Sequence, residues 1–97
     1  MEIIPQEQIE KSILVMRGHR VMLDADLAGI YGVTTKYLNQ QVRRNSVRFP
    51  IDFMFQLSEI EEESLRLQIA TSKEKRGGRR YLPYVFTEHG TVMLASI

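Results

Sequence analysis

Cysteine is absent from the 97 residues, which excludes a disulfide framework and a thiolate metal site and suits a reducing compartment. The first five residues, Met1-Glu-Ile-Ile-Pro5, lack a basic stretch followed by an apolar run, so no signal peptide is expected. No apolar run approaches the length of a membrane span, and no membrane partner is expected. Net charge is nearly absent, at a formal +1, because 13 lysines and arginines offset 12 acids. Acids, however, are missing locally in an informative way. Residues 34–50 hold Lys36, Arg43, Arg44 and Arg48 and no acid. Glutamates crowd residues 59–63 instead, and residues 73–80, "KEKRGGRR", hold five cations against Glu74. A chain of this size forms one domain with a modest core, and its charge is sorted into patches that bind what the average cannot.

The local pattern alternates short helices and strands. Pro5 can open a short helix over 5–11. The apolar runs 13–16 and 20–23 flank "RGHR" as a β-hairpin. Asp24 stands at an N-cap position before a helix with Leu27, Ala28, Ile30 and Tyr31 on its apolar face. Gly32 ends that helix, and Thr34 caps the next, which runs to about residue 45. Pro50 pushes Phe49 out of the helical region, and Phe53, Phe55 and Leu57 then alternate as a half-buried strand. Ser58 with Glu61 is a capping box for a helix over about 58–70. The segment "YLPYVF", 81–86, reads as a strand at a sheet edge, because Pro83 cannot donate to a central ladder. Thr87 caps a last helix still running at Ile97, so the chain is expected to be the N-terminal part of a longer protein. The fold class expected is α+β: a small single domain over 1–97, with a helix-turn-helix-like helical pair and short antiparallel strands.

The helical pair carries the functional signal. Ala28, Gly32 and Leu38 have the spacing of a helix-turn-helix: a small residue for close packing, a glycine to turn the chain, an apolar anchor for the second helix. Around the second helix Leu38 and Val42 fall on one side. Lys36, Asn39, Gln40 and Arg43 fall on the other, at i, i+3, i+4 and i+7. Arginine and lysine match guanine in the major groove, and asparagine and glutamine match adenine. Charged helix faces are ordinarily just solvated, but such faces mix glutamate with lysine for local pairs; this one has no acid. Lys36, Asn39, Gln40 and Arg43 are therefore expected to face base edges. Arg44, Arg48 and the loop cations Lys75, Arg76, Arg79 and Arg80 are expected to hold phosphates. Tyr37 serves equally as a flank of that face or as core packing, and Asn45 and Arg48 can also brace the turn before Pro50. The basic loop reads as an arm or wing beside the reading helix, or as a plain solvated connector. Its Gly-Gly pair lacks the lysine-serine/threonine of a phosphate-binding loop.

Enzymatic chemistry finds no residues to carry it. His19 and His89 have no ligand partners at metal spacing, and the serines lack a nucleophile signature. No catalytic residue, metal or cofactor is expected. A nuclease is disfavoured for want of clustered carboxylates. The alternative to DNA binding is a protein-interaction module, docking the same surface on a repressor protein or pairing two copies as a homodimer.

The stretch "LAGIYGVTTKYLNQQVRRNSVRFPIDFMFQL" resembles the ORF6N family of phage and prophage N-terminal domains. The likeness extends upstream into "RGHRVMLDADLA" and downstream into "RRYLPYVFTEHG", from about residue 9 to the end. Its most specific parts are Leu38-Asn39, Val42, Arg44-Asn45, Arg48-Phe49-Pro50 and Asp52-Phe53-Met54-Phe55, then Leu82-Pro83, Phe86-Thr87-Glu88 and Gly90. Before Gly90, where the family pattern has glutamine, stands His89. The resemblance implies a small α+β module binding double-stranded DNA, akin to KilA-N and Bro-N domains. It also implies a place ahead of a variable second domain, in an antirepressor-like regulatory protein working in a bacterial host's cytoplasm.

Overall fold

The computed structural model describes residues 10–69 and 82–97, with side chains given as far as residue 67 in the first stretch. The short helix expected over 5–11 falls almost entirely outside these residues, as does the basic loop with Lys75, Arg76, Arg79 and Arg80. Strands β1 (Leu14–Met16) and β2 (His19–Leu23) form the expected hairpin. Its two-residue turn, Arg17-Gly18, has both φ angles positive, at 53° and 79°, as a twisted type I′ hairpin turn requires. Helix α1 (Asp24–Tyr31) follows at once. It stops at Gly32, whose φ of 72° lies in the left-handed region that a side chain disfavours. There the Gly32 N–H donates to Gly29 O and the Val33 N–H to Ala28 O at 2.9 Å, a Schellman closure. Helix α2 (Thr35–Arg44) starts three residues after that stop.

A 3-10 turn over Ser46–Arg48 leads to strand β3 (Met54–Gln56) and helix α3 (Glu59–Ile69). The capping box forms as expected: Ser58 Oγ accepts from Glu61 N at 3.1 Å, and Glu61 Oε1 accepts from Ser58 N at 2.8 Å. Strand β4 (Tyr84–Thr87) and helix α4 (Glu88–Ala95) complete the described chain. The result is an α+β domain with four α-helices and a four-stranded antiparallel sheet among the described residues.

Two expectations fail here for physical reasons. The sheet order is β1-β2-β4-β3, so β4 is central, paired with β2 and β3. Pro83 lies just before the ladder, where its missing N–H costs nothing, and its carbonyl still accepts from Leu57 N at 2.9 Å. Helix α4 does not run on to Ile97 but ends at Ala95, with Ser96 Oγ donating to Met93 O at 2.9 Å.

The alternation along each strand sorts the core into two layers. Met22 and Phe86 point to one face, where Leu27 and Ala28 of α1, Leu38 and Val42 of α2 and Leu94 of α4 cover them. Val21, Val85 and Phe55 point to the other, under Leu65 of α3 and Leu57, which precedes that helix. The sheet thus separates α3 from α1, α2 and α4. One close approach ties the last helix down. Gly90 is buried against the backbone of Phe53, so near that a Cβ there would lie 2.7 Å from the Phe53 carbonyl carbon. Thr87 fixes the same spot: its N–H donates to Phe53 O at 2.9 Å and its hydroxyl to Asp52 O at 2.8 Å. Its Oγ1 also accepts from Gly90 N at 3.3 Å, the N-cap expected of it.

Candidate nucleic-acid interface

Helix α2 is held at both ends and along one face. At its start Thr34 Oγ1 accepts from Tyr37 N at 3.0 Å, occupying a donor that the first turn leaves orphaned. At its end the Asn45 side-chain amide donates to Gln41 O at 2.9 Å, so it closes the last turn of α2 rather than bracing the turn before Pro50. Leu38 and Val42 are buried and pack into the layer with Met22, Phe49 and Phe86. A helix fixed in this way presents its remaining side chains in a set direction.

Lys36, Gln40 and Arg43 are exposed, and so are Arg44 and Arg48 at the helix end and the turn after it. Among the described residues none of these four cations forms an ion pair, whereas Arg17 pairs with Glu61 and Arg66 with Glu62. Tyr37 is half exposed, which removes it from the core. The glutamates do not reach the stripe. They lie on α3, beyond the sheet, where Glu61 grips Arg17 of the hairpin turn through two contacts of 2.8 and 2.9 Å. The Arg17 hydrogen bond, with help from Ser58 N, lowers the Glu61 pKa to about 2. Arg17 also lies 4.0 Å over the Phe55 ring.

Asn39 does not join the exposed set. Its side chain is half-buried, and its Nδ2 donates to Asp24 Oδ2 at 2.9 Å, while its Oδ1 is buried with no partner. Asp24 is fully buried and also accepts from Ala25 N at 2.7 Å and Tyr84 N at 3.3 Å. This carboxylate therefore joins α1, α2 and β4, and Asn39 belongs to that joint rather than to the exposed row. The helical wheel contained the signal. At roughly 100° per residue Asn39 falls only about 60° from Val42, on the margin of the buried side, and about 100° from Gln40. Asp24 is not the N-cap expected of it: Leu23 holds that position without a side-chain cap bond, and Asp24, the first helical residue, turns its carboxylate to α2 and β4 instead.

The remaining polar candidates stay apart. His89 is exposed and stacks on Phe53 with ring centres 5.8 Å apart. Among the described residues no three His, Asp or Glu side chains gather as a metal-binding group, and no helix is long and apolar enough to cross a membrane.

In comparison with known proteins, no curated protein and no solved structure matches this chain. A match to the ORF6N domain spans residues 11–97, which takes in every strand and helix from β1 to α4. The chain therefore belongs to the ORF6N domain family, a non-catalytic family of phage-type domains.

Proposed function

We propose that this domain binds double-stranded DNA as the DNA-contacting part of a phage-type regulatory protein in the bacterial cytoplasm, with α2 in the major groove. One observation carries the reading. An acid-free stripe of cationic and amide side chains stands in solvent, without ion pairs among the described residues, on a helix seated by Leu38 and Val42. In this reading Lys36, Gln40 and Arg43 face base edges, while Arg44 and Arg48 hold phosphates. Lys75, Arg76, Arg79 and Arg80 lie outside the described residues and add positive charge to the chain between α3 and β4. The family supports the phage context, and the sheet between α2 and the glutamates of α3 supports the polarity of the surface.

The test is a salt titration of binding to duplexes selected from a random pool. Neutralising about six phosphates gives a log–log slope near −5 to −6. Arg44→Ala weakens binding to all duplexes alike, whereas Gln40→Ala relaxes the preference for the selected site. A slope near zero, or a Gln40→Ala variant with unchanged preference, refutes the reading. Asn39 is left out of this test, because its replacement perturbs the Asp24 joint instead.

A further inference from the structure

The turn after α2 holds an apolar pair that no part of the fold uses. Val47 is 91 % exposed and Ile51 71 %, although both sit in a closely bonded segment. Arg48 N donates to Asn45 O at 2.9 Å, Phe49 N to Ser46 O at 3.0 Å and Phe53 N to Pro50 O at 2.7 Å. Between the pair, Phe49 is buried edge-on to Phe86 with ring centres 6.0 Å apart. Single exposed aliphatic residues need no explanation. Two branched ones within five positions, on an anchored turn and interleaved with exposed Arg44 and Arg48, call for a binding partner that suits both kinds of group.

Charge selects the partner. A second copy packed here would bring Arg44 and Arg48 against the same residues, like against like. Duplex DNA offers phosphates to the arginines, and its major groove displays one apolar group, the thymine C5-methyl. We infer that Val47 and Ile51 contact thymine methyl groups in the duplex that α2 reads, so that this turn sets a preference for thymine beside the helix's own site. The inference rests on the DNA-binding reading above and adds to it a specificity contact made without hydrogen bonds.

Uracil-for-thymine replacement tests it, since only the methyl is removed. The selected duplex is prepared with thymine and with uracil, and each is titrated with the wild-type chain, with Val47→Ser/Ile51→Ser and with Arg43→Ala. Both apolar side chains are solvent-facing, so the serine variant keeps its melting temperature. Wild type loses roughly fourfold in affinity for each methyl it contacts. The serine variant is weaker on the thymine duplex and indifferent to the replacement, and Arg43→Ala is weaker on both and still sensitive to it. A wild type indifferent to uracil, or a serine variant as sensitive as wild type, overturns the inference and leaves DNA binding standing. A serine variant whose only change is loss of self-association overturns it in favour of a dimer contact. Failure of the wild type to bind any duplex removes both readings.

Discussion

Replacing Gly90 with alanine sets two physical effects against each other with opposite signs. Gly90 lies within α4, and in an ordinary helix interior alanine is better than glycine by ~1 kcal/mol. Here, however, the added Cβ would stand 2.7 Å from the Phe53 carbonyl carbon and 3.3 Å from its Cα. The Phe53 carbonyl oxygen would stand closer still, and with carbon atoms packing at about 3.5–4.0 Å, α4 and the 50–53 turn must part by about 1–1.5 Å. Overpacking of this kind costs about 1–3 kcal/mol. The opening also stretches Thr87 N to Phe53 O and the Thr87 hydroxyl to Asp52 O, each worth ~1 kcal/mol. After the propensity gain is subtracted, Gly90→Ala destabilises the domain by roughly 2–4 kcal/mol. The melting temperature then falls by about 10–25 °C for a domain of this size. Urea titration and thermal melting followed by circular dichroism measure both. An alanine variant as stable as wild type would show that helix propensity governs this position and that the Phe53 contact gives way at no cost.

Four further outcomes follow from the core and from the hairpin. Asp24→Ala leaves three part-buried N–H donors without their acceptor and lowers stability by about 3 kcal/mol in a urea titration. Asn39→Ala costs less than Asp24→Ala in the same assay, about 1–2 kcal/mol, because it takes one donor from the buried carboxylate while also deleting an unpartnered buried oxygen. Leu38→Ala opens a cavity under α2 and costs about 2–5 kcal/mol by the same measurement. Glu61 has its pKa lowered from 4.5 to about 2, so its contribution to stability is complete above pH 4.5 and is lost as pH falls through about 2. Melting curves across that window therefore decline less steeply for Glu61→Gln than for wild type, and equal declines would count against the Arg17 contact.

Much of the fold is legible in single residues because those residues act on their own backbone. Thr34, Gly32, Ser58 with Glu61, and Thr87 each mark a helix end, and each forms the bond its chemistry dictates. What resists reading is decided by residues distant in the chain. Nothing local shows that Pro83 stops one residue short of a central strand. Nor does the alternation of Phe53, Phe55 and Leu57 reveal that both sheet faces are covered. Gly90 stood out only within a family motif, since its need for a missing side chain comes from Phe53, which lies far from it in the chain. Arg17 likewise takes a left-handed φ that arginine disfavours, in a turn from which it reaches Glu61 and Phe55.

The same distinction explains the one gap in the exposed row of α2. Periodicity assigns a face, but a residue on the margin of that face is claimed by whichever neighbour offers the stronger bond. Asn39 lies on such a margin, and across from it the fold buries a carboxylate. A wholly buried Asp24 needs donors from every side, because an unmet buried charge costs far more than an unmet amide. Satisfying Asp24 therefore takes the Asn39 amide out of the surface and leaves its own oxygen unpaired, the cheaper of the two deficits. Lys36, Gln40 and Arg43 lie farther round the helix, beyond the reach of that demand, and remain in solvent. Burial decides which polar side chains of α2 are free to meet a ligand, and the order of residues along the helix does not.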